Sequence, residues 1–442
     1  MKIVMFTNTY LPHVGGVARS VDFFTRDLRA LNHDVLVVAP HFEGESNDEG
    51  HVLRVPAIQN FSGSDFSVRI RLPAKLEKTI KAFEPEIIHS HHPMLMGDTA
   101  LRFSRKYGLP LVFTHHTMYE QYTHHVHLDT DTVRRFVIKL VTLYTGFCDR
   151  VVAPSRSIAS ILRSRGVQAP IATLPTGVDL MFFSEGDGSA FRRSHNIPED
   201  AEVVGYLGRL APEKNLVFLA RAVADFVRSR HNAYFLVVGD GRSREEIAAV
   251  FEAAHAGDRL RIAGEAHGDM LRAAYHAMDV FAFASKTETQ GMVLVEAMAA
   301  GLPVIALDAP GSREVVRHGA NGLLLPESIS FQGFTEGLET YFFHPATQKR
   351  WKLKARDTAG EFAREECARA MADLYAAVLE ERSIRPAVHH DKYVALETLM
   401  KKLKIEWDLL AEKALAATQA IHSRKEKAPP GSETSSRPGQ RR

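Results

Sequence analysis

Two successive series of short apolar segments, separated by helix-length segments, most constrain the fold of this chain. The first series starts with Ile3 to Phe6, continues with apolar residues at three- and four-residue spacing from Val17 to Leu31, and returns to a continuous run at Val35 to Ala39. This order predicts a strand, a helix and a second strand. Later runs lie at Ile87 to Ile88, Leu111 to Phe113 and Arg150 to Ala153. Continuous runs of this kind are typical of parallel strands covered on both faces, so residues 1–180 are predicted to form a doubly wound α/β domain.

The second series follows a polar, glycine-containing stretch, Ser184 to Ser194, which is interpreted as the connection between two domains. Its apolar runs are Val203 to Leu207, Tyr234 to Val238, Leu260 to Ala263, Val280 to Ala284, Pro303 to Ala306 and Leu323 to Leu325. Helix-length segments separate most of them, which predicts a second Rossmann-like domain over residues 195–360. Because such sheets bind ligands beyond the carboxyl ends of their strands, the site is expected in a cleft between the two domains.

Length and composition agree with two folded domains. The 442 residues exceed one ordinary core, since domains average about 150 residues. Hydrophobic residues make up 45% and charged residues 24% of the chain, the balance of a globular protein. The 55 Lys and Arg exceed the 53 Asp and Glu by only two, so no global field attracts nucleic acid, and no nucleic-acid partner is expected.

Cysteine usage and hydropathy indicate a cytoplasmic protein. Cys148 and Cys367 lie far apart and lack metal-type spacing, which suits a reducing compartment. No apolar run reaches the roughly 20 residues that span a bilayer. Asn8 and Pro12 interrupt the first apolar run, unlike a secretory signal. Any membrane contact is therefore expected to be peripheral, at the inner face.

The C-terminal region carries an amphipathic pattern. Apolar residues at three- and four-residue spacing predict one helix over residues 391–421, and the Pro-, Gly-, Ser- and charge-rich residues 422–442 are predicted to be disordered. Lys401, Lys402, Lys404 and Trp407 suit docking to anionic lipid, although acidic residues dilute the basic face. Packing of this helix on its own protein, or pairing in a dimer, stays open as the alternative.

Two glutamates in the segment SKTETQGMVLVEAMAAG are the strongest candidates for chemistry. Glu288 precedes Gly291, and Glu296 follows it. A helix that begins near Gly291 would present the N–H groups of Met292 and Val293 to an anion such as phosphate. The alternative is a capping carboxylate at Glu288 and a solvated helix residue at Glu296. The position after a strand of a doubly wound domain favours the binding interpretation.

This segment resembles the E-x7-E signature of the retaining GT-B glycosyltransferases of family 4. The resemblance implies that Glu288 approaches the donor sugar and that Glu296 binds the ribose of the nucleotide. It also implies that the backbone amides of Gly291, Met292, Val293 and Leu294 hold the diphosphate. The resemblance extends over about residues 1–380, with residues 195–360 as the nucleotide-sugar-binding domain and 361–385 as the C-terminal helix of the GT-B core.

The segment GYLGRLAPEKN resembles the basic turn of the same family. By position, Arg209 and Lys214 are implied to contact the donor diphosphate, because a departing nucleotide diphosphate gains charge and needs fixed cations aimed at it. If these cations serve, no metal and no further cofactor are needed, and the nucleotide sugar is a co-substrate. The alternative is a surface turn with ordinary solvated charges.

Two glycines follow the first predicted strand, in TNTYLPHVGGVARSV. Gly15 and Gly16 allow a ligand to approach the backbone closely, but the stretch lacks the GxGxxG fingerprint, which weakens a dehydrogenase interpretation. It resembles the glycine loop of family 4, in which Gly16 is implied to face the donor.

Histidines are dense between His89 and His127. Adjacent residues on a strand point to opposite faces, so convergence of three or four histidines on zinc is not expected. The segment THHTMYE resembles the family loop whose histidine lies over the donor sugar, and His116 is the best match. His115 is the competing choice.

The resemblance implies a retaining hexosyltransferase that uses a nucleotide diphosphate sugar, UDP-glucose or GDP-mannose, and a lipid or glycan acceptor. The segments HTMYE and TETQGMVLVEAMAAG look most like the branch that glucosylates diacylglycerol. Two rivals are a nucleotide-sugar epimerase on a double-Rossmann architecture and a non-catalytic nucleotide-sugar binding protein. The presence of both Glu288 and Lys214 disfavours the binding protein.

Overall fold

The structure is a computed structural model that describes residues 1–13, 15–41, 50–58, 68–69, 74–121 and 130–384. It contains two compact units. The first comprises Met1–Met118 and Tyr144–Val388, and the second comprises Tyr119–Leu143 and His389–Arg442. The predicted helix at 391–421 and the predicted tail at 422–442 lie outside the described residues.

The N-terminal half of the chain alternates strands and helices. Its strands are β1 (Lys2–Phe6), β2 (Asp34–Pro40), β3 (Val52–Val55), β4 (Ala57–Ile58), β5 (Val68–Arg69), β6 (Ile87–Ser90), β7 (Leu111–Thr114), β8 (Arg150–Ala153) and β9 (Ile171–Thr173). Its helices are α1 (Gly16–Ala30), α2 (Ala74–Phe83), α3 (Met96–Tyr107), α4 (Asp131–Thr145) and α5 (Arg156–Ser164).

Within the described residues, seven of these strands form one parallel sheet in the order β3-β2-β1-β6-β7-β8-β9. Both faces of β1 are buried. Ile3 and Met5 pack in one core with residues of α1, whereas Val4 and Phe6 pack in a second core on the opposite face. Burial on both faces explains the continuous apolar run, because successive strand residues point in opposite directions.

The C-terminal half repeats the plan. Its helices are α6 (Leu180–Ser184), α7 (Gly188–Ser194), α8 (Leu216–Ser229), α9 (Arg244–Ala253), α10 (Asp269–His276), α11 (Met292–Ala299), α12 (Ser312–Val315), α13 (Phe331–Phe342), α14 (Pro345–Gly360) and α15 (Arg364–Ile384). Its strands are β10 (Glu202–Leu207), β11 (Ala233–Val238), β12 (Leu260–Ile262), β13 (Val280–Phe283), β14 (Val304–Leu307) and β15 (Gly322–Leu325).

These strands form a second parallel sheet in the order β12-β11-β10-β13-β14-β15. The predicted pair of doubly wound domains is thereby confirmed. In each sheet the strand order reverses beside the first strand, between β1 and β6 in one and between β10 and β13 in the other. These reversal points are where open α/β sheets bind ligands, beyond the carboxyl ends of the strands.

The stretch from Ser184 to Ser194 differs from the polar connection that the sequence predicts. Most of it is helix α7, whose Phe191 is buried in the same core as Phe183 and the second sheet. A Cβ atom at Gly188 would lie 2.1 Å from the carbonyl oxygen of His276. This glycine therefore permits close packing between α7 and α10, and its presence in a polar stretch gave the misleading linker pattern.

The last described helix returns to the first sheet. In α15, Cys367, Met371 and Tyr375 pack in the same core as Ile3 and Met5 of β1. Helix α15, Arg364–Ile384, lies within the range 361–385 where the sequence analysis expects a closing helix. Among the described residues, no helix combines the length and the apolar character that crossing a bilayer requires.

The second unit is small in its described part. It holds a 3-10 turn at Tyr119–Gln121 and the portion of α4 up to Leu143. The Thr130 hydroxyl accepts a hydrogen bond from the backbone N–H of Val133, 3.3 Å, which satisfies one of the free donors at the start of α4.

Candidate active site

Lys214 and Glu288 meet at the carboxyl edge of the second sheet. Lys214 ends the 3-10 turn that follows β10, and Glu288 lies in the loop that follows β13. Since β10 and β13 are hydrogen-bonded neighbours, both loops emerge at the same reversal point. The Lys214 ammonium forms an ion pair with Glu288 Oε1, and the two side chains are 16% and 19% exposed. The basic turn after β10 and the loop between β13 and α11, here called the acid loop, therefore meet at one accessible position.

Arg209 lies earlier in the same basic turn and is more exposed. Its guanidinium donates to Glu213 Oε1 at 2.8 Å. The preceding Gly208 has a φ of +146°, and its carbonyl oxygen would lie 2.0 Å from a Cβ atom at Gly239. The turn after β10 thus packs directly against the glycine turn after β11, which fixes the backbone that carries Arg209.

Helix α11 begins directly after Gly291, as the sequence predicts. Gly291 has a φ of +80° and is the N-cap residue. Among the described residues, the N–H groups of Met292 and Val293 find no acceptor, as is usual in a first helical turn. The N–H of Leu294 instead donates to the Gly291 carbonyl at 2.9 Å, so this predicted diphosphate ligand is already occupied within the helix.

Gly311, which the sequence analysis did not single out, packs against the acid loop at Glu288. It precedes α12 with a φ of +80°, and a Cβ atom there would lie 2.7 Å from Cβ of Glu288. The same Cβ would also lie 3.1 Å from the Glu288 carbonyl oxygen. A glycine at this position therefore lets the two loops touch and determines where the Glu288 backbone lies.

We expect Gly311→Ala to lower turnover by about tenfold or more, because the added methyl group must displace Glu288 and small misplacements of reacting groups are costly. Gly319→Ala is the matched control. Gly319 also has a positive φ, +74°, but no heavy atom lies within 4 Å of its added methyl group. Both positions have a positive φ, so an L side chain strains the backbone at either one, and Gly311, with a ψ of −54°, lies outside the left-handed helical region. Equal turnover of the two variants, measured beside their melting temperatures, would contradict the assignment.

Glu296 is buried and fully engaged. Its Oε1 pairs with the Arg19 guanidinium at 2.6 Å, and its Oε2 accepts from the Tyr275 hydroxyl at 2.8 Å. The carboxylate raises the pKa of Arg19, and burial followed by the same carboxylate raises the pKa of Tyr275. Glu296 is 1% exposed, so it is no solvated helix residue. Arg19 lies about one turn after Gly16 in α1. The ion pair therefore links α1, in the domain built on the first sheet (the first sheet domain), to α11, in the domain built on the second sheet (the second sheet domain).

The backbone of His116 contacts the acid loop. Its carbonyl oxygen accepts from the Thr289 hydroxyl at 2.8 Å, and its Nε2 lies 2.9 Å from Nδ1 of His91. Burial, together with the neighbouring histidines, lowers the pKa of His116 well below its ordinary value, so the ring is neutral near pH 7. The ring of His115 is buried and packs edgewise on Phe113.

The remaining predicted residue, Gly16, is the first residue of α1. A Cβ atom there would meet no heavy atom within 4 Å, so packing does not require a glycine. Within the part of the chain that the structure describes, no group of three His, Cys, Asp or Glu side chains is arranged to hold a metal ion.

Sequence reasoning missed Arg19, Tyr275, Thr289, Gln290 and His91. Thr289 and Gln290 lie inside the segment that carries the two glutamates, and Arg19 lies inside the glycine-loop segment. His91 lies in the histidine-dense region, and no sequence signal pointed to Tyr275. The contacts of these residues join parts of the chain that are far apart in sequence, so local patterns do not reveal them.

Known proteins resemble this chain over both sheet domains. Residues 14–182 match the family described as Glycosyltransferase Family 4, and residues 187–358 match Glycosyl transferases group 1. The alpha-monoglucosyldiacylglycerol synthase of Acholeplasma laidlawii is 27% identical over 336 residues, which cover 73% of this chain and 84% of that protein. The GDP-mannose-dependent alpha-mannosyltransferase of Mycobacterium tuberculosis is 30% identical over 334 residues, which cover 74% of this chain and 84% of that protein.

A solved structure agrees with the architecture. Anabaena HepE in complex with UDP superposes with a TM-score of 0.69 at 20% identity, covering 85% of this chain and 100% of that one. The doubly wound sheets and this likeness confirm the predicted GT-B fold. Family matches over both halves of the chain, together with a relative at 30% identity, also show that the chain is a glycosyltransferase. The chain belongs to the GT-B glycosyltransferases of family 4 and is a hexosyltransferase.

Proposed function

We propose that this enzyme transfers a hexose, with retention of the anomeric configuration, from a nucleotide diphosphate sugar to a lipid or glycan acceptor. UDP-glucose and GDP-mannose are the proposed donors. The observation that carries the proposal is the convergence of Lys214 and Glu288 beside the start of α11. Cations for a leaving diphosphate and a carboxylate for the sugar must be neighbours if one donor is to contact both.

The diphosphate is proposed to bind at the basic turn and at the start of α11. Lys214 and Arg209 supply fixed positive charge, and the free N–H groups of Met292 and Val293 add donors at the positive end of a helix dipole. As the glycosidic bond breaks, negative charge grows on the diphosphate, so these groups bind the transition state more tightly than the ground state. This arrangement needs no metal ion and no further cofactor.

The sugar is proposed to lie between Glu288 and His116. When a diphosphate approaches Lys214, it competes with Glu288 for the ammonium group and releases the carboxylate toward the sugar. Glu288 can then stabilise positive charge on the anomeric carbon, and the departing phosphate can accept the proton of the acceptor hydroxyl. His116 is neutral, so it can form a hydrogen bond to a sugar hydroxyl without adding charge.

The ribose of the nucleotide is proposed to bind at Glu296. Both of its oxygens already have protein partners, so a ribose hydroxyl must share Oε1 with Arg19 or displace the guanidinium. Tyr275 keeps the carboxylate oriented during this exchange. Gly16, close to Arg19 in α1, leaves open space on the same side for the donor.

The names of two relatives suggest the base of the donor and the acceptor, which we propose on that ground. The Acholeplasma laidlawii protein is named for glucosyldiacylglycerol synthesis, and the Mycobacterium tuberculosis protein is named for use of GDP-mannose. Diacylglycerol is therefore a proposed acceptor, reached by peripheral contact at the inner face of the membrane. Lipid docking is one proposed role for residues 391–421, and packing on the rest of the protein or pairing in a dimer is the alternative.

A screen of UDP-glucose and GDP-mannose against diacylglycerol vesicles and soluble glycans tests the function. Release of nucleotide diphosphate in proportion to acceptor, with an α-linked product by NMR, is expected with and without EDTA. Conversion of the donor without acceptor would indicate an epimerase instead. Tight donor binding without release of diphosphate for any acceptor would indicate a binding protein.

A further inference from the structure

We propose that Thr289 and Gln290 are positioning residues, through which the first sheet domain holds the acid loop in place for transfer. They are the two residues between Glu288 and Gly291, and they belong to the second sheet domain. Their side chains bond to backbone groups of His116 and Thr176, which belong to the first sheet domain. This inference rests on the proposed function, because it concerns the geometry of the same site.

Thr289 is held by two segments of the first sheet domain. Its hydroxyl donates to the carbonyl oxygen of His116, which follows β7, at 2.8 Å. Its own carbonyl accepts from the hydroxyl of Ser155, the N-cap residue of α5, at 2.7 Å. One residue of the acid loop thus connects Glu288 directly to the backbone of the histidine proposed to lie over the sugar.

Gln290 makes a two-point contact with the backbone of Thr176. Its Oε1 accepts from the Thr176 N–H at 2.8 Å, and its Nε2 donates to the Thr176 carbonyl at 2.6 Å. The Thr176 hydroxyl lies 2.6 Å from that of Ser20 in α1. Gln290, Thr176 and Ser20 are all buried, at 5%, 3% and 1% exposure. This chain of bonds connects the start of α11 to the helix that carries Gly16 and Arg19.

A third contact fixes the same face of α5. The carboxylate of Glu314, in α12, accepts from the N–H and the hydroxyl of Ser157, each at 2.7 Å, and from the N–H of Arg156 at 3.2 Å. Gly311, which contacts Glu288, directly precedes α12. The start of α5 is therefore connected to the acid loop both through Thr289 and through α12.

These contacts separate binding from chemistry. Lys214, Arg209, Glu288 and the N–H groups of α11 all belong to the second sheet domain, so nucleotide binding at these groups does not depend on the contacts of Thr289. Loss of those contacts changes the position of the Glu288 carboxylate relative to His116, which belongs to the first sheet domain. Loss of the contacts should therefore lower kcat and leave nucleotide affinity unchanged.

The variant Thr289→Val removes the hydroxyl and preserves the shape. We expect kcat to fall by about tenfold to a hundredfold, with an unchanged dissociation constant for nucleotide diphosphate by calorimetry. Thr289→Ser should restore kcat, because it retains the donor. Thr340→Val is the control, since the Thr340 hydroxyl also donates to a backbone carbonyl, of Glu336 at 2.8 Å, on the exposed surface of α13.

Hydrogen exchange of residues 287–291 supplies a readout that does not require turnover. Faster exchange of these residues in Thr289→Val and in Gln290→Met supports the inference if both variants keep the melting temperature of the wild-type enzyme. Wild-type exchange together with wild-type kcat in Thr289→Val overturns it, as does an equal loss of nucleotide affinity. A wild-type enzyme that transfers to no acceptor in the screen overturns the proposed function, and exchange then still decides whether these residues hold the loop.

Discussion

Replacing Glu288 with glutamine will lower kcat by about a hundredfold to a thousandfold, and nucleotide-sugar binding will stay equal or become tighter. The size of the fall is that expected when one preorganised group facing developing charge is lost. Glutamine keeps the length of the side chain and removes only the negative charge that would stabilise the anomeric carbon.

The unusual part of this result is the sign of the change in binding. In the free enzyme Lys214 is paired with Glu288, and a diphosphate must compete with that carboxylate for the ammonium group. Glutamine competes poorly, so Lys214 becomes more available to the donor. Affinity and turnover should therefore move in opposite directions, whereas unfolding or misfolding would lower both.

Single-turnover rates and calorimetric binding of the nucleotide diphosphate measure the two effects separately. Glu327→Gln is the matched control, because Glu327 also pairs with a lysine, Lys286 at 3.3 Å, but both side chains are exposed. That variant should retain wild-type kcat. An unchanged kcat in Glu288→Gln would show that this carboxylate takes no part in the reaction.

The sheets could be predicted from sequence because their strands are buried on both faces. Continuous apolar runs located β1, β2, β10 and β11 within one or two residues. The edge strands β3 and β9 were missed. β9 is only partly buried, so its residues Ile171–Thr173 carry no continuous apolar run. The edge strands of the second sheet, β12 and β15, were located, so edge position alone does not explain the two omissions.

The ion pairs of the candidate site could be predicted only in part. Lys214 and Glu288 follow neighbouring strands, so their meeting follows from the topology of a doubly wound sheet. The pair of Arg19 and Glu296 joins two different sheets, and no periodicity within either helix points to it. Contacts of that kind depend on how two domains pack, which local patterns do not encode.

Replacing Lys214 with methionine is the second change with a large expected effect. Methionine keeps a similar length and apolar stem and removes the charge aimed at the leaving diphosphate. We expect kcat/KM for the donor to fall by about a hundredfold to a thousandfold, as for loss of one electrostatic stabiliser. Unlike Glu288→Gln, this variant should also bind nucleotide diphosphate more weakly.

Two causes contribute to the weaker binding, and a double variant separates them. Lys214→Met removes an attractive charge, and it also leaves Glu288 without its cation beside an incoming anion. Adding Glu288→Gln to Lys214→Met removes that repulsion, so the double variant should bind nucleotide diphosphate more tightly than Lys214→Met alone. Residues in direct contact are expected to show such non-additive effects. Calorimetry on the four proteins measures the coupling. A double variant that binds nucleotide diphosphate no more tightly than Lys214→Met alone would show that Lys214 and Glu288 do not act on the same diphosphate, and the shared site would then be wrong.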